Sequence, residues 1–364
     1  MTPIALPPGN GVHMPDTDLP PPQMLRAWGL SEARVSLLGS GLINRTWLIE
    51  TGTDRRVMQQ VNPLFPPAVN EDIRIVTGHL RAGGLIAPEL LPAADGSYWQ
   101  LHEGGVYRLM SWVAGRSHER LSTVAQAQEA GALLARFHRA LDDCQHEFRS
   151  ARVGVHDTPR HLANLRRALS EHRTHPQYPV VRPLAEEILA LAAALEPLPV
   201  LPDRLVHGDP KINNILFDPV SDKALCLIDL DTLGRMPLPL ELGDAFRSWC
   251  NPRGEDDQSS AFSLALFRGA VEGYAAGAAG WILPAEYSAI VPATLTIYVE
   301  LAARFCADAL NENYFGWDAS RYPSRSAHNQ VRAASQLAAA RSLLDVRGAA
   351  EEVVRSVFGT LPVP

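Results

Sequence analysis

The chain is poor in cysteine, in net positive charge and in long apolar runs. Its 364 residues include four cysteines, Cys144, Cys226, Cys250 and Cys306. They lie far apart and none forms a CxxC pair. That argues against a zinc site or a disulfide framework, and for buried free thiols in a reducing, cytoplasmic setting. Lys and Arg total 33 against 40 Asp and Glu, a net charge of −7. The basic balance of a nucleic-acid binder is missing. No apolar stretch reads as the roughly 18 residues of a membrane span. No basic segment followed by an apolar one marks a secretory leader. There is no internal repeat. The only biased segment is the proline-rich stretch of residues 1–25, which reads as a loose arm.

With 46% hydrophobic and 20% charged residues, the chain can bury a sizeable core. Its length suggests two domains or two lobes. Residues 26–113 look strand-rich. The runs RTWLIE (45–50) and RVMQQV (56–61) flank a turn at Gly52 and read as a hairpin. Ile73, Val76 and Leu80 share one face of a helix over 69–81. Short runs at 98–101 and 106–110 flank Gly104-Gly105. From residue 114 to 364 the pattern is mostly helical, with helices expected over 124–141, 183–195, 260–278, 285–311 and 328–345. Residues 149–180 are polar and show no clear order. The fold class that follows is α+β: a small antiparallel sheet lobe followed by a larger helical lobe.

The chemistry is concentrated in residues 204–251. Asp209 and Asn214 stand five apart, and Asp229 lies twenty beyond Asp209. Apolar runs at 215–217 and 224–228 flank a turn and can pair as a hairpin. Pairing brings Asn214 close to Asp229, with Asp209 on the loop leading in. Two carboxylates and a carboxamide at one mouth are hard oxygen donors of the kind Mg²⁺ prefers. They also suit phosphoryl transfer. Asp209 would orient the attacking hydroxyl and take its proton. Asn214 and Asp229 would hold the metal, and Asp231 reads either as a further metal ligand or as a local loop residue. His207, Asp244 and His138 read as structural. Lys211 reads either as a γ-phosphate contact or as a solvent-facing residue. Glu255-Asp256-Asp257 reads as a solvated acidic loop, or alternatively as an acidic rim for a cationic acceptor.

His207-Gly208-Asp209, Asn214 and Ile228-Asp229 agree in order and spacing with the aminoglycoside phosphotransferase and choline kinase-like superfamily, which they resemble. That likeness implies a protein-kinase-like fold with ATP between the lobes. Gly39, Ser40, Gly41 and Asn44 resemble the turn over the phosphates, and Met110, Trp112 and Val113 resemble the hinge beside adenine. The strand at 57–61 lacks the ATP-binding lysine of protein kinases and carries Gln60 there. Residues 209–218, 227–232 and 243–247 are similar to the N-acetylhexosamine 1-kinases. Glu300, Arg304, Asp308, Tyr314 and His328 through Arg332 continue that likeness. It implies ATP and Mg²⁺ as cofactors and the anomeric hydroxyl of an N-acetylated sugar as acceptor, reached by Asp209, Arg247, Arg304 and Tyr314. The open alternatives are an aminoglycoside, choline or homoserine as acceptor, or a pseudokinase that binds nucleotide without turnover. The expected partner is a small sugar or other alcohol, not nucleic acid or membrane, and the expected state is a monomer or homodimer.

Overall fold

The computed structural model describes residues 19–39, 43–150 and 154–360. A short helix, α1 (Pro22–Ala27), precedes β1 (Arg34–Leu37), β2 (Arg45–Thr51) and β3 (Asp54–Val61). Then come α2 (Val69–Ala82), β4 (Gln100–His102) and β5 (Gly105–Ser111). The five strands form one antiparallel sheet in the order β1-β2-β3-β5-β4. The expected hairpin is β2–β3, with Thr51 opposite Asp54.

Both faces of this sheet are covered. Trp47, Ile49, Met58, Tyr107 and Leu109 point to one side, where Met24, Trp28 and Leu30 close over them. The other side carries Val61, Val106 and Met110 into the central core with Ile73, Val76 and Leu80 of α2. The end of the supposed arm is therefore structured. Pro22 occupies the first turn of α1, where a missing N–H does no harm, and Met24 is buried. Residues 1–18 lie outside the described residues.

The second lobe opens with α3 (Val124–Ala140), started by a capping box between Thr123 and Gln126. Next are α4 (Thr158–Glu171) and α5 (Tyr178–Ala193). Two small hairpin-like sheets follow. β6 (Asp203–Val206) pairs with β9 (Gly234–Pro237), and β7 (Ile215–Phe217) pairs with β8 (Ala224–Leu227). The helices α6 (Leu238–Trp249), α7 (Leu264–Ala278), α8 (Pro284–Ser288), α9 (Ile290–Asn311), α10 (Arg325–Asp345) and α11 (Arg347–Phe358) complete the lobe.

Four expectations change here. Residues 149–180 contain a full helix, α4, whose Asp157 accepts the Arg160 amide at its start. Pro183 lies inside α5 and does not begin it. The single helix expected over 285–311 is two, broken at Ala289. Finally, α9 is long and apolar enough to cross a membrane by length and composition, contrary to the sequence reading. Its apolar window is 83% buried within the protein, against α4, α5, α6 and α10, so it is a core helix.

The helices α3 and α7 touch backbone to backbone. A Cβ on Gly131 would collide with the Ala270 carbonyl, and one on Gly273 with the Gln128 carbonyl. Gly131→Ala should therefore lower stability by about 1–3 kcal/mol, the usual cost of overpacking. Urea denaturation reads this directly, and wild-type stability in that variant would contradict the close crossing.

Candidate active site

The site is built from the β6 exit loop, the β7–β8 hairpin and the start of α6. Gly208 adopts φ +83°, and a Cβ there would strike the Thr232 carbonyl. Only glycine lets these two loops touch. The Thr232 hydroxyl donates to the His207 carbonyl at 2.9 Å. His207 Nε2 donates to the Ile228 carbonyl at 2.9 Å, and its Nδ1 accepts the Asp209 amide at 3.3 Å. Both ring nitrogens are engaged, which gives His207 the structural role expected of it. Glu241 of α6, fully buried, accepts the amides of His207 and Gly208, each at 2.9 Å. Trp249 Nε1 donates to the Pro210 carbonyl at 2.8 Å, and the Ile212 amide donates to Ser248 Oγ at 3.0 Å. One face of α6 thus holds the whole loop.

The expected convergence is present. The Ile228 amide donates to the Asn214 carbonyl at 2.9 Å, so Asn214 and Asp229 share one end of the hairpin. Asn214 Nδ2 donates to the Asp209 carbonyl at 2.8 Å and approaches Asp209 Oδ2 at 3.3 Å. Lys211 Nζ sits 2.6 Å from the same Oδ2. It is one of only two lysines in the chain, the other being Lys223. Burial pushes the Asp209 carboxyl up, but the Lys211 ammonium outweighs it and leaves Asp209 below its ordinary value. Asp229 behaves oppositely. Burial, then the charges of Asp231 and Asp209, push it up to about 6. Its backbone is left-handed, with φ +62°, a strained conformation of the kind found at functional sites.

These residues fit Mg²⁺. The donors are hard oxygens, and Asp229 carries negative charge that no hydrogen bond among the described residues relieves. Among the described residues no group of three His, Cys, Asp or Glu is arranged to cage a metal. A pair of protein ligands completed by phosphate and water is the usual Mg²⁺ arrangement.

Several expected residues stand elsewhere. Asp231 is no free metal ligand. Both its oxygens are taken by Arg108, at 2.6 and 2.8 Å, and Asn44 Nδ2 adds a third contact at 2.5 Å. The Asn44 side chain, expected at ATP, is consumed by that contact and by the Asn62 amide at 2.9 Å. Gln60 shares the α1 side of the sheet with Met58, so it faces away from the cleft. Its neighbour Gln59 faces the cleft and accepts Arg108 Nε at 2.9 Å. Gly39 has φ +73° and open space around it. Ser40 and Gly41 lie outside the described residues. At the hinge, Met110 is buried, while Trp112 and Val113 are half-buried. Just beyond, Arg116 and Phe217 exchange backbone hydrogen bonds at 2.8 Å, which joins the hinge to β7.

The residues expected on the acceptor side form a chain of paired charges. Arg247, expected at the substrate, is buried between Asp244 and Glu255, at 2.8 Å from each, and acts as a brace. Its charge still reaches Asp209. Glu300 is fully buried. It accepts from His156 Nδ1 at 3.0 Å and from Thr158 Oγ1 at 2.7 Å, with Arg304 3.8 Å away. Arg304 lies over the rings of Tyr314 and Phe315, so these two expected substrate residues do meet. Asp308 fixes the turn beneath them by accepting the amides of Asn313, Tyr314 and Phe315 at 2.9–3.0 Å. The acidic loop is only partly solvated: the Glu255 and Asp257 side chains stay 39% and 42% exposed, yet each acid has a protein partner. Glu255 binds Arg247, and Asp256 binds His328, Arg332 and Arg321. Asp257 is taken up by Ser259 and lies 3.9 Å from Arg253.

The model of the phosphotransferase enzyme family matches residues 34–280, about two thirds of the sequence. The chain belongs to this family. Similar solved structures include a microcompartment-associated aminopropanol kinase, with 17% identity and TM-score 0.61, covering 90% of this chain and 97% of that one. An aminoglycoside phosphotransferase from Alicyclobacillus acidocaldarius has 18% identity and TM-score 0.61, with 95% and 98% covered. Spectinomycin phosphotransferase in complex with ADP and spectinomycin has 12% identity and TM-score 0.53, with 88% and 97% covered. The family match spans β1 to α7 and includes Asp209, Asn214 and Asp229. Arg304 and Tyr314 lie beyond it.

Sequence reasoning missed Glu241 and Arg108. The signal for Glu241 was a carboxylate on the same helical stripe as Leu238, Leu242 and Ala245, all buried. Burial raises the Glu241 carboxyl, but His138 and the loop amides hold it below the ordinary value of 4.5. A lowered folded value means the unfolded chain binds more protons, so this stability is complete above about pH 4.5 and is lost as pH falls. We expect Glu241→Gln to show a smaller loss of urea stability between pH 7 and pH 4 than the wild type. An equal loss would mean that Glu241 is not ionised in the fold.

Proposed function

We propose that the protein is an ATP-dependent small-molecule kinase whose acceptor is a sugar, through the anomeric hydroxyl of an N-acetylhexosamine. The kinase reading rests on one observation, the meeting of Asp209, Asn214 and Asp229 at one end of the β7–β8 hairpin. Lys211 and Asn214 both engage Asp209 Oδ2, which leaves Oδ1 to accept a hydrogen bond from the acceptor hydroxyl. A carboxylate held below its ordinary pKa is a weak base. Asp209 therefore acts mainly by orientation, with the proton passing to it late in a loose transition state. Asn214 and Asp229 would hold Mg²⁺, which when bound neutralises charge on the phosphates. The ADP complex of the similar spectinomycin enzyme supports a nucleotide donor.

Two things support a neutral sugar over a cationic acceptor. One is the similarity of residues 209–218, 227–232 and 243–247, and of Arg304 and Tyr314, to N-acetylhexosamine 1-kinases. The other is the use already made of nearby acids. An amino alcohol, such as the aminopropanol named for one similar kinase, is well held by a carboxylate free of other cations. Glu255, Asp256 and Glu300 already face arginine or histidine, and the partly exposed Asp257 is hydrogen-bonded by Ser259. The side chains facing the acceptor are instead a guanidinium and a phenol, which suit hydroxyl and carbonyl oxygens.

Phosphorus NMR with ATP, Mg²⁺ and a pool of N-acetylglucosamine, N-acetylgalactosamine, glucose, choline, homoserine and kanamycin tests this reading. An anomeric sugar phosphate is expected, and a product on choline or kanamycin alone would reject the sugar. Asp209→Asn should lower kcat by about 10²–10⁴-fold, the range of a lost acid–base group, with ATP affinity nearly unchanged. Arg304→Ala should raise the KM of the sugar and leave that of ATP alone.

A further inference from the structure

The cleft face of the sheet carries a buried cation that the sequence reading did not use. Arg108 of β5 and Asp231 are each 1% exposed and form a two-pronged ion pair across the lobes. Arg108 also donates to Gln59 of β3 through Nε at 2.9 Å and Nη2 at 2.6 Å, and lies 3.4 Å from Asn70 Oδ1 of α2. It thus stands beside the strand that carries lysine in protein kinases, among residues from β3 and α2. Its charge is directed at the loop of the other lobe. Asn44 extends the cluster. Its Nδ2 donates to Asp231 and its Oδ1 accepts the Asn62 amide, so the ends of β2 and β3 are joined to the same carboxylate.

We propose that Arg108, Asp231 and Asn44 are positioning residues: their buried cluster fixes the Asp229 loop against the nucleotide-facing sheet. The role rests on the kinase reading above. Asp231 lies two residues after Asp229, separated from it by buried Leu230. Movement of the ion pair therefore moves the strained Asp229 backbone. A planar guanidinium and a carboxylate in a fork fix orientation as well as distance, which a single lysine contact does not. A second tie limits independent motion. Asp72 of α2, also buried, accepts from His146 Nε2 at 2.7 Å and from the Arg149 and Ser150 amides at 3.1 and 2.9 Å. Each lobe thus sends one aspartate into the other.

The test separates positioning from stability. A buried ion pair is often replaced by apolar residues at no loss of stability. The double variant Arg108→Met/Asp231→Leu should therefore melt near the wild type, yet lose about 100-fold in kcat, the scale of a small misplacement of reacting groups. Asn44→Ala keeps the ion pair. Its two lost hydrogen bonds, to Asp231 and from the Asn62 amide, should lower the melting temperature, and the loosened sheet should weaken ATP binding, read with a fluorescent ATP analogue, by a few-fold. Wild-type kcat and ATP affinity in a stably folded double variant would overturn the proposal. Hydrogen exchange on nucleotide-free protein gives an independent readout. Asp231→Asn should speed exchange at residues 43–47 as well as 228–233, whereas a change confined to 228–233 would overturn the coupling. Failure of the kinase reading is distinguished by the wild type, which would then bind no ATP while the exchange result still decides whether the lobes are coupled.

Discussion

Two hydrogen bonds from the amides of His207 and Gly208 to the buried carboxylate of Glu241 hold the Asp209 loop in place. Without them, two backbone donors would be buried unpaired beside Asp209, at a cost of roughly 1–3 kcal/mol each. With them, the loop is a fixed extension of α6. Everything downstream inherits that rigidity. Asp209 projects from the pinned loop, Lys211 and Asn214 close on it from one side, and the hairpin delivers Asp229 from the other.

The same constraint, that a buried carboxylate must have a partner, explains the rest of the charge layout. Asp231 takes Arg108, Asp244 takes Arg247, Glu300 takes His156 and Thr158, and Asp256 takes His328 and Arg332. Asp229 differs. It is pressed toward other acids, with the Lys211 ammonium nearby to offset them. Among the described residues around the site, Asp229 is the carboxylate left without a hydrogen-bond donor, which makes it the natural seat for a cation.

Much of this was legible in the sequence because it depends on short spacings. The hairpin over 215–227, and hence the meeting of Asn214 and Asp229, follows from two apolar runs and a turn. The sheet lobe followed by a helical lobe was legible for the same reason. What was not legible depends on distant pairing or on hidden faces. Arg108 and Asp231 are 123 positions apart, and nothing local marks either as the other's partner. Gln59 and Gln60 were confused because α1 covers the outer face of the sheet. Both faces are then apolar, and alternation no longer tells inside from outside. Helix α4 escaped notice although Leu162, Leu165, Ala168 and Leu169 recur at helical spacing, because these few apolar positions stand among many polar and basic residues.

The crossed aspartates carry a consequence for how the molecule is divided. Asp231 belongs to the helical lobe but finds its cation in the sheet, and Asp72 belongs to the sheet lobe but finds its donors in the segment after α3. Cut at the hinge, each fragment would hold an acid whose answering groups left with the other. The change of architecture near residue 113 is therefore a boundary of shape only. A chimera that exchanges one lobe for a relative's must carry both halves of each pair across the graft, or it inherits two orphaned charges at its centre.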